Sequence, residues 1–118
     1  MSHEVLYNSA FGGFSISWEA AVEYGLEELE QLGVDVKDPY CKKWNTVHID
    51  DSRLARHDKK LIDIFKKIGS KRFSGSSATV SIATIRYNMY RIRDFDGLEN
   101  VEEIYLEDDV RVIGCIPE

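Results

Sequence analysis

Two hydrophobic periods share this chain, and together they set its fold class. Over 18–32 the apolar positions are Trp18, Ala21, Val22, Gly25, Leu26, Leu29 and Leu32, the i, i+3, i+4, i+7 spacing of one helix face. Ser17 is the expected N-cap, Glu19 suits the first turn, and Gly33 is the natural stop. A second helix is expected over 59–68, with the stripe Leu61, Ile64, Phe65 and Ile68, Asp58 as N-cap and Gly69 as stop. From residue 78 onward the period falls to two. Val80 and Ile82 alternate with Ser81 and Ala83, and Tyr90 and Ile92 alternate with Arg91 and Arg93. Asp96-Gly97 is a hairpin turn signal, so 89–95 should pair with a return strand over 98–106, although Leu98, Val101, Ile104 and Tyr105 also fit a helix. That turn sets Phe95 opposite Leu98 and Asp94 opposite Glu99.

Short strands are expected at Val5-Leu6-Tyr7 and over 46–49, and a last edge strand over 110–116. Residues 8–17 are turn-rich, 34–51 is otherwise irregular with a turn at Asp38-Pro39, and 70–77 reads as a basic, Ser/Gly-rich loop. No internal repeat is visible. The architecture that follows is α+β: a small antiparallel or mixed sheet with two helices packed on one face.

At 118 residues, 43% hydrophobic and 31% charged, the chain has the size and balance of a single globular domain with a core of its own. No apolar run is long enough to span a membrane, and the start lacks the basic flank and apolar stretch of a signal peptide. An intracellular protein is expected, with Cys41 and Cys115 as free thiols. The net charge of −6 argues against coating nucleic acid through bulk charge. The charges are also segregated. Residues 19–35 carry only acidic ones, 53–72 mostly basic ones, and 94–109 again only acidic ones.

Three stretches resemble one family. Tyr7-Asn8-Ser9-Ala10-Phe11-Gly12-Gly13-Phe14 resembles the opening of a family of small uncharacterised proteins of bacteriophages and large DNA viruses. A second match begins at Arg56-His57-Asp58-Lys59-Lys60-Leu61 and continues through Gly69 and the strand ending at Ile85. The third, Tyr90-Arg91-Ile92-Arg93-Asp94-Phe95-Asp96-Gly97-Leu98-Glu99, is similar to the family's Y-x-I-x-x-Y-D-G-x-E ending. Lys59 stands where the family often has Pro, and Phe95 where it often has Tyr. The resemblance spans about Tyr7 to Val101. It implies a viral or phage origin, a host-cytoplasmic or virion-associated location, and no particular activity.

Four places invite a functional reading. Gly12 and Gly13 followed by Ser15 and Ser17 at a helix start are a candidate cradle for phosphate, although an acidic first turn repels anions and a plain glycine turn is the alternative. His48, Asp50, Asp51, Arg53, Arg56, His57 and Asp58 gather acid–base groups, yet no C-x2-C or H-x3-H spacing is present, so neither metal nor cofactor is expected. The alternative is a polar loop in which Asp58 caps a helix and Arg56 pairs with a carboxylate. Like charges at Asp94 and Glu99 need relief, expected from Arg91 or Arg93 diagonally, with a bound cation or a basic partner as the alternatives. Lys66, Lys67, Lys71 and Arg72 beside Phe73 suit a single-stranded nucleic acid or an acidic partner, with a solvated helix face as the alternative.

Catalysis by a nucleophilic triad has no signature here. The reading favoured by the sequence is a non-enzymatic protein-interaction module. Its charge blocks, Lys66, Lys67, Lys71 and Arg72 against Asp94, Asp96 and Glu99, would meet a partner or a second copy of the chain. The first alternative is a small enzyme or binder for a nucleotide or phosphorylated ligand, using Gly12, Gly13, Ser15, Arg56, His57 and Asp58. Nucleic-acid binding is the second.

Overall fold

The computed structural model describes residues 2–104 and 114–117. It begins with β1 (His3–Asn8), β2 (Ser15–Ile16), α1 (Trp18–Tyr24), α2 (Leu26–Gln31) and α3 (Pro39–Lys43). There follow β3 (Val47–His48), α4 (Lys59–Ile68), α5 (Ser70–Phe73), β4 (Val80–Ile85), β5 (Met89–Phe95), β6 (Leu98–Glu103) and β7 (Gly114–Cys115). The class is α+β. The strands divide among three antiparallel sheets: β1 with β4, β2 with β3, and β5 between β6 and β7.

Local chemistry explains most boundaries. Ser17 is extended, and its hydroxyl accepts the Ala20 N–H at 3.0 Å, which starts α1 where the cap was expected. The helix does not run on to Leu32. Gly25 adopts φ 117°, closes α1, and lets α2 begin on a new axis. Most of the apolar stripe survives the break: Ala21 and Leu29 are buried, with Leu26 and Leu32 packed against the same core, but Val22, expected on that face, is exposed. α4 follows its expected bounds at both ends, with Asp58 accepting the Leu61 N–H at 2.9 Å and Gly69 at φ 85° ending it.

Two short helices stand where loops were expected. Asp38 caps α3 through the Tyr40 N–H at 2.9 Å, and Pro39 opens it with a fixed φ and no N–H to lose. α5 falls within 70–77 and continues from α4 after the Gly69 bend, burying Phe73. The hairpin has the expected register, with Asp94 paired to Glu99 and Phe95 to Leu98. Asp96 and Gly97 both have positive φ, the backbone of a tight hairpin turn. Of the return strand expected over 98–106, Leu98–Glu103 is strand, and 105–106 lie outside the described residues. Of the edge strand expected over 110–116, Gly114–Cys115 pairs with β5, and 110–113 lie outside the described residues.

β1 divides the interior in two. Its side chains alternate, so Leu6 joins the main core of Phe14, Ile16, Leu29, Leu61, Phe73 and Val80, while Val5 joins Ile85 and Tyr90 in a second cluster. Burial of each such side chain stabilises by about 1.5–3 kcal/mol. This ribbon carries the chain into the loop where the functional candidates meet.

Candidate functional site

The end of β1 is tied to the hairpin by a polar knot. Asn8 is fully buried and every polar group of its side chain is used. Its Oδ1 accepts the Thr79 N–H at 2.9 Å, and its Nδ2 donates to the carbonyls of Ala10 at 2.5 Å and Gly97 at 2.7 Å. Its backbone N–H donates to Glu99 Oε1 at 2.8 Å. Glu99 in turn accepts two bonds from Arg56, at 2.7 and 2.9 Å, the fork geometry of a strong carboxylate pair. Both side chains are nearly enclosed, 13% exposed for Arg56 and 4% for Glu99. The guanidinium also donates to Asp50 at 3.0 Å and lies 3.8 Å over the Phe14 ring. Burial works against the Arg56 charge, but Glu99 and Asp50 outweigh it and raise its pKa.

The glycines complete this knot. The Gly12 N–H points to the Asp96 carbonyl at 3.5 Å. A methyl group on Gly97 would overlap the backbone nitrogens of Gly12 and Gly13, so the two turns touch main chain to main chain. Three stretches distant in sequence therefore meet here: Asn8 to Phe14, Arg56, and Gly97 with Glu99.

This arrangement revises two expectations about chemistry. The relief of Glu99 opposite Asp94 comes from Arg56 and not from Arg91 or Arg93, which both bind Glu102. Asp94 instead accepts the Gly97 N–H at 2.8 Å inside the turn. The glycine loop, in turn, has its Gly12 and Gly13 nitrogens packed against the hairpin, which leaves that side closed to a phosphate. Ser15 is buried in β2, and its carbonyl accepts the Gly75 N–H at 3.0 Å.

His57 and Asp58 do not line the cavity of Gly12. His57 Nδ1 and the Tyr90 hydroxyl share a hydrogen bond of 2.7 Å, and burial lowers the His57 pKa while burial raises that of Tyr90 to about 12. His57 lines a recess of about 300 Å³ with His3, Glu4, Lys59 and Asp63. Gly12 lines a different cavity. Asp58 caps α4 and faces the Tyr24 hydroxyl, whose pKa is pushed up to about 12 by burial first and by this carboxylate second. No group of three or more His, Cys, Asp or Glu side chains among the described residues is placed to hold a metal. Cys41 is buried and Cys115 exposed, and neither forms a disulfide.

The basic block is matched within the chain. Lys66 pairs with Glu4 at 2.7 Å, Lys67 with Glu23 at 3.4 Å, and Arg72 with Glu19. Lys60 adds a pair to Glu28 at 2.8 Å. Lys71 alone of Lys66, Lys67, Lys71 and Arg72 has no ion pair with a described residue. Glutamates thus interleave the surface that a nucleic acid would need as a continuous basic patch.

A feature absent from the sequence reading lies on the other side of Gly12. Tyr40 and Trp44 stack with ring centroids 4.5 Å apart, and both are well exposed, Trp44 by 60%. They line a cleft of about 520 Å³ with Gly12, Asp38, Cys41, Thr46, His48, Ser76 and Ser77. Phe11, 61% exposed, precedes Gly12, and Phe95, 70% exposed, precedes Asp96 at the glycine contact. The signal was present in Asp38-Pro39, a cap and first-turn pair, followed by aromatics four apart on one helix face. Comparison with protein-family models, with curated proteins and with solved structures returns no match. No helix among the described residues is long and apolar enough to cross a membrane.

Proposed function

We propose that the protein is a non-enzymatic interaction module that binds a protein partner through the aromatic surface around Gly12. One observation carries this reading. Of the six exposed large apolar side chains among the described residues, Tyr40 and Trp44 line one cleft with Gly12, while Phe11 and Phe95 directly precede the two residues of the contact between Gly12 and Asp96, Phe95 lining a second cavity with Ser9 and Leu98. Exposed aromatic anchors at a cleft are the composition of binding hot spots. The partner's anchor is an apolar side chain seated against Trp44 and Tyr40. Lys42 and Lys43 have no ion pair with a described residue and suit acidic residues flanking that anchor. This reading moves the contact away from the charge blocks, of which Lys66, Lys67, Arg72 and Glu99 are paired in cis. The family resemblance supports a viral or phage origin, and with it a host-directed or virion-associated partner.

A nucleotide-handling enzyme is disfavoured by the placement of its parts. Gly12 and His57 line separate cavities, and Arg56 is held by Glu99 and Asp50.

The test places a photo-reactive benzoylphenylalanine at position 44, 95 or 71, one at a time, in cells that produce the protein. The expected result is one partner protein crosslinked from 44 and from 95 but not from 71, and lost when Tyr40→Ser is added. Absence of any protein adduct at 44 and 95, or equal capture from 71, overturns the proposal.

A further inference from the structure

Natural sheets guard their edge strands with lysine, proline, bulges or a covering element, because free N–H and C=O groups invite another strand. β4 has none of these guards in its sequence. Val80–Ile85 reads Val-Ser-Ile-Ala-Thr-Ile, without charge or proline, and its only strand partner among the described residues is β1.

The hydrogen-bonding direction of each β4 residue follows from its neighbours. In an antiparallel ladder, residues alternately turn both backbone groups toward the partner and both away. The Ser9 N–H donates to the Thr79 carbonyl at 2.8 Å, in continuation of the β1–β4 register. Positions 81, 83 and 85 therefore face β1, and positions 80, 82 and 84 face outward. Val80 agrees: its N–H donates to Ser74 Oγ at 2.8 Å and its carbonyl accepts from Ser70 Oγ at 2.6 Å. Those two serines close one end of the edge. Ile82 and Thr84 remain with outward N–H and C=O groups that no described residue takes.

We propose that β4 is a self-association edge, pairing antiparallel with β4 of a second copy of this chain to make a two-fold dimer with a continuous sheet of order β1-β4-β4-β1. A two-fold axis normal to the sheet pairs residues that lie on the same face, so even positions meet even and odd meet odd. Centring the axis on Ala83 sets Ile82 opposite Thr84 of the second copy, and Thr84 opposite its Ile82. Both are hydrogen-bonded pairs, each exchanging two backbone bonds. Centring on Ile82 gives one such pair only, because the next would need Val80, already held by Ser70 and Ser74. The Ala83 register also suits the side chains. A non-hydrogen-bonded pair brings its Cα atoms to about 4.5 Å, a spacing that fits methyl groups. β4 ends at Ile85, opposite Ser81 of the second copy, so each chain leaves the ladder before the blocked Val80. An uncharged edge that complements itself suits a second copy of a chain whose net charge is −6, since the contact itself brings no like charges together.

Analytical ultracentrifugation across the micromolar range, at low and high salt, tests this on the full chain. The wild type should form a dimer whose affinity is nearly the same at both salt concentrations. Thr84→Pro should weaken it about tenfold or more. The Thr84 N–H faces away from β1, so proline removes no bond of the existing ladder. Amide exchange should be slow at Ile82 in the wild-type dimer and fast in the variant. If Thr84→Pro does not fold, Thr84→Lys, a guarded edge, should give the same loss. A wild type that stays monomeric, a dimer indifferent to both variants, or a dimer dissolved by salt each overturns the proposal.

Discussion

Arg56 in the middle third of the chain binds Glu99 in the last, and their burial makes the pair costly to break. An exposed pair is worth under about 1 kcal/mol, whereas removing one partner of an enclosed pair leaves an uncompensated charge and costs about 3–5 kcal/mol. Glu99→Gln keeps an acceptor for the Asn8 N–H but removes the charge that Arg56 faces. It should lower stability by about 3 kcal/mol in urea titration, the residual Asp50 contact limiting the loss. Adding Arg56→Met should recover more than half of that loss, because the orphaned charge is gone. A double variant that costs the sum of the two singles would show that the residues act independently. Half of this was legible in the sequence. The Asp-Gly turn alone placed Glu99 opposite Asp94. Which arginine relieves it was not legible, because local spacing offers Arg91 and Arg93 while the actual partner lies 43 positions away.

Among elements, those with two marked ends were readable and those with one interrupted or brief pattern were not. α4 has a cap, a stripe of apolar residues and a glycine stop, and these agree with one another. The break at Gly25 escapes a period count, because a glycine on the apolar face keeps the rhythm while its φ of 117° ends the helix. α3 spans too few residues to show a period at all. The loop-to-hairpin contact is a third kind of case: both glycine turns are visible in sequence, but their mutual contact is not. That contact makes a measurable distinction between two glycines of positive φ. Gly97→Ala pays for the left-handed backbone and for overlap with Gly12 and Gly13, whereas Gly13 has nothing within 4 Å of the added methyl. Gly13→Ala should therefore cost about 1–2 kcal/mol and Gly97→Ala clearly more. Thermal unfolding of the two variants checks the order. Equal costs would mean that the turns are not in contact in solution, and the aromatic surface around Gly12 would lose its rigid support.

At the scale of the whole molecule, the acidic–basic–acidic sequence is a folding pattern before it is a binding pattern. α1 and α2 bring Glu19, Glu23 and Glu28 beside the Arg72, Lys67 and Lys60 of α4 and α5, and β1 brings Glu4 to Lys66. These pairs are exposed, so each is weak and screened by salt. Their joint effect is to favour one docking of the two helical layers over others, since a wrong docking sets like charges together. The block from 94 onward is different, because its Glu99 is enclosed while Phe95 beside it is open to solvent. Reversing Lys66, Lys67 and Arg72 together to glutamate sets like charges at three of these pairs. The midpoint temperature should fall by several degrees at low ionic strength. Most of that loss should return at about 1 M salt, where the Debye length shrinks to about 3 Å. Partner crosslinking at position 44 should persist in this variant under conditions where it folds, because the aromatic surface does not use these side chains. If stability is unmoved at low salt, the cross-layer pairs do not form in solution. If crosslinking is lost from a folded variant, the charge blocks and not the aromatics carry recognition.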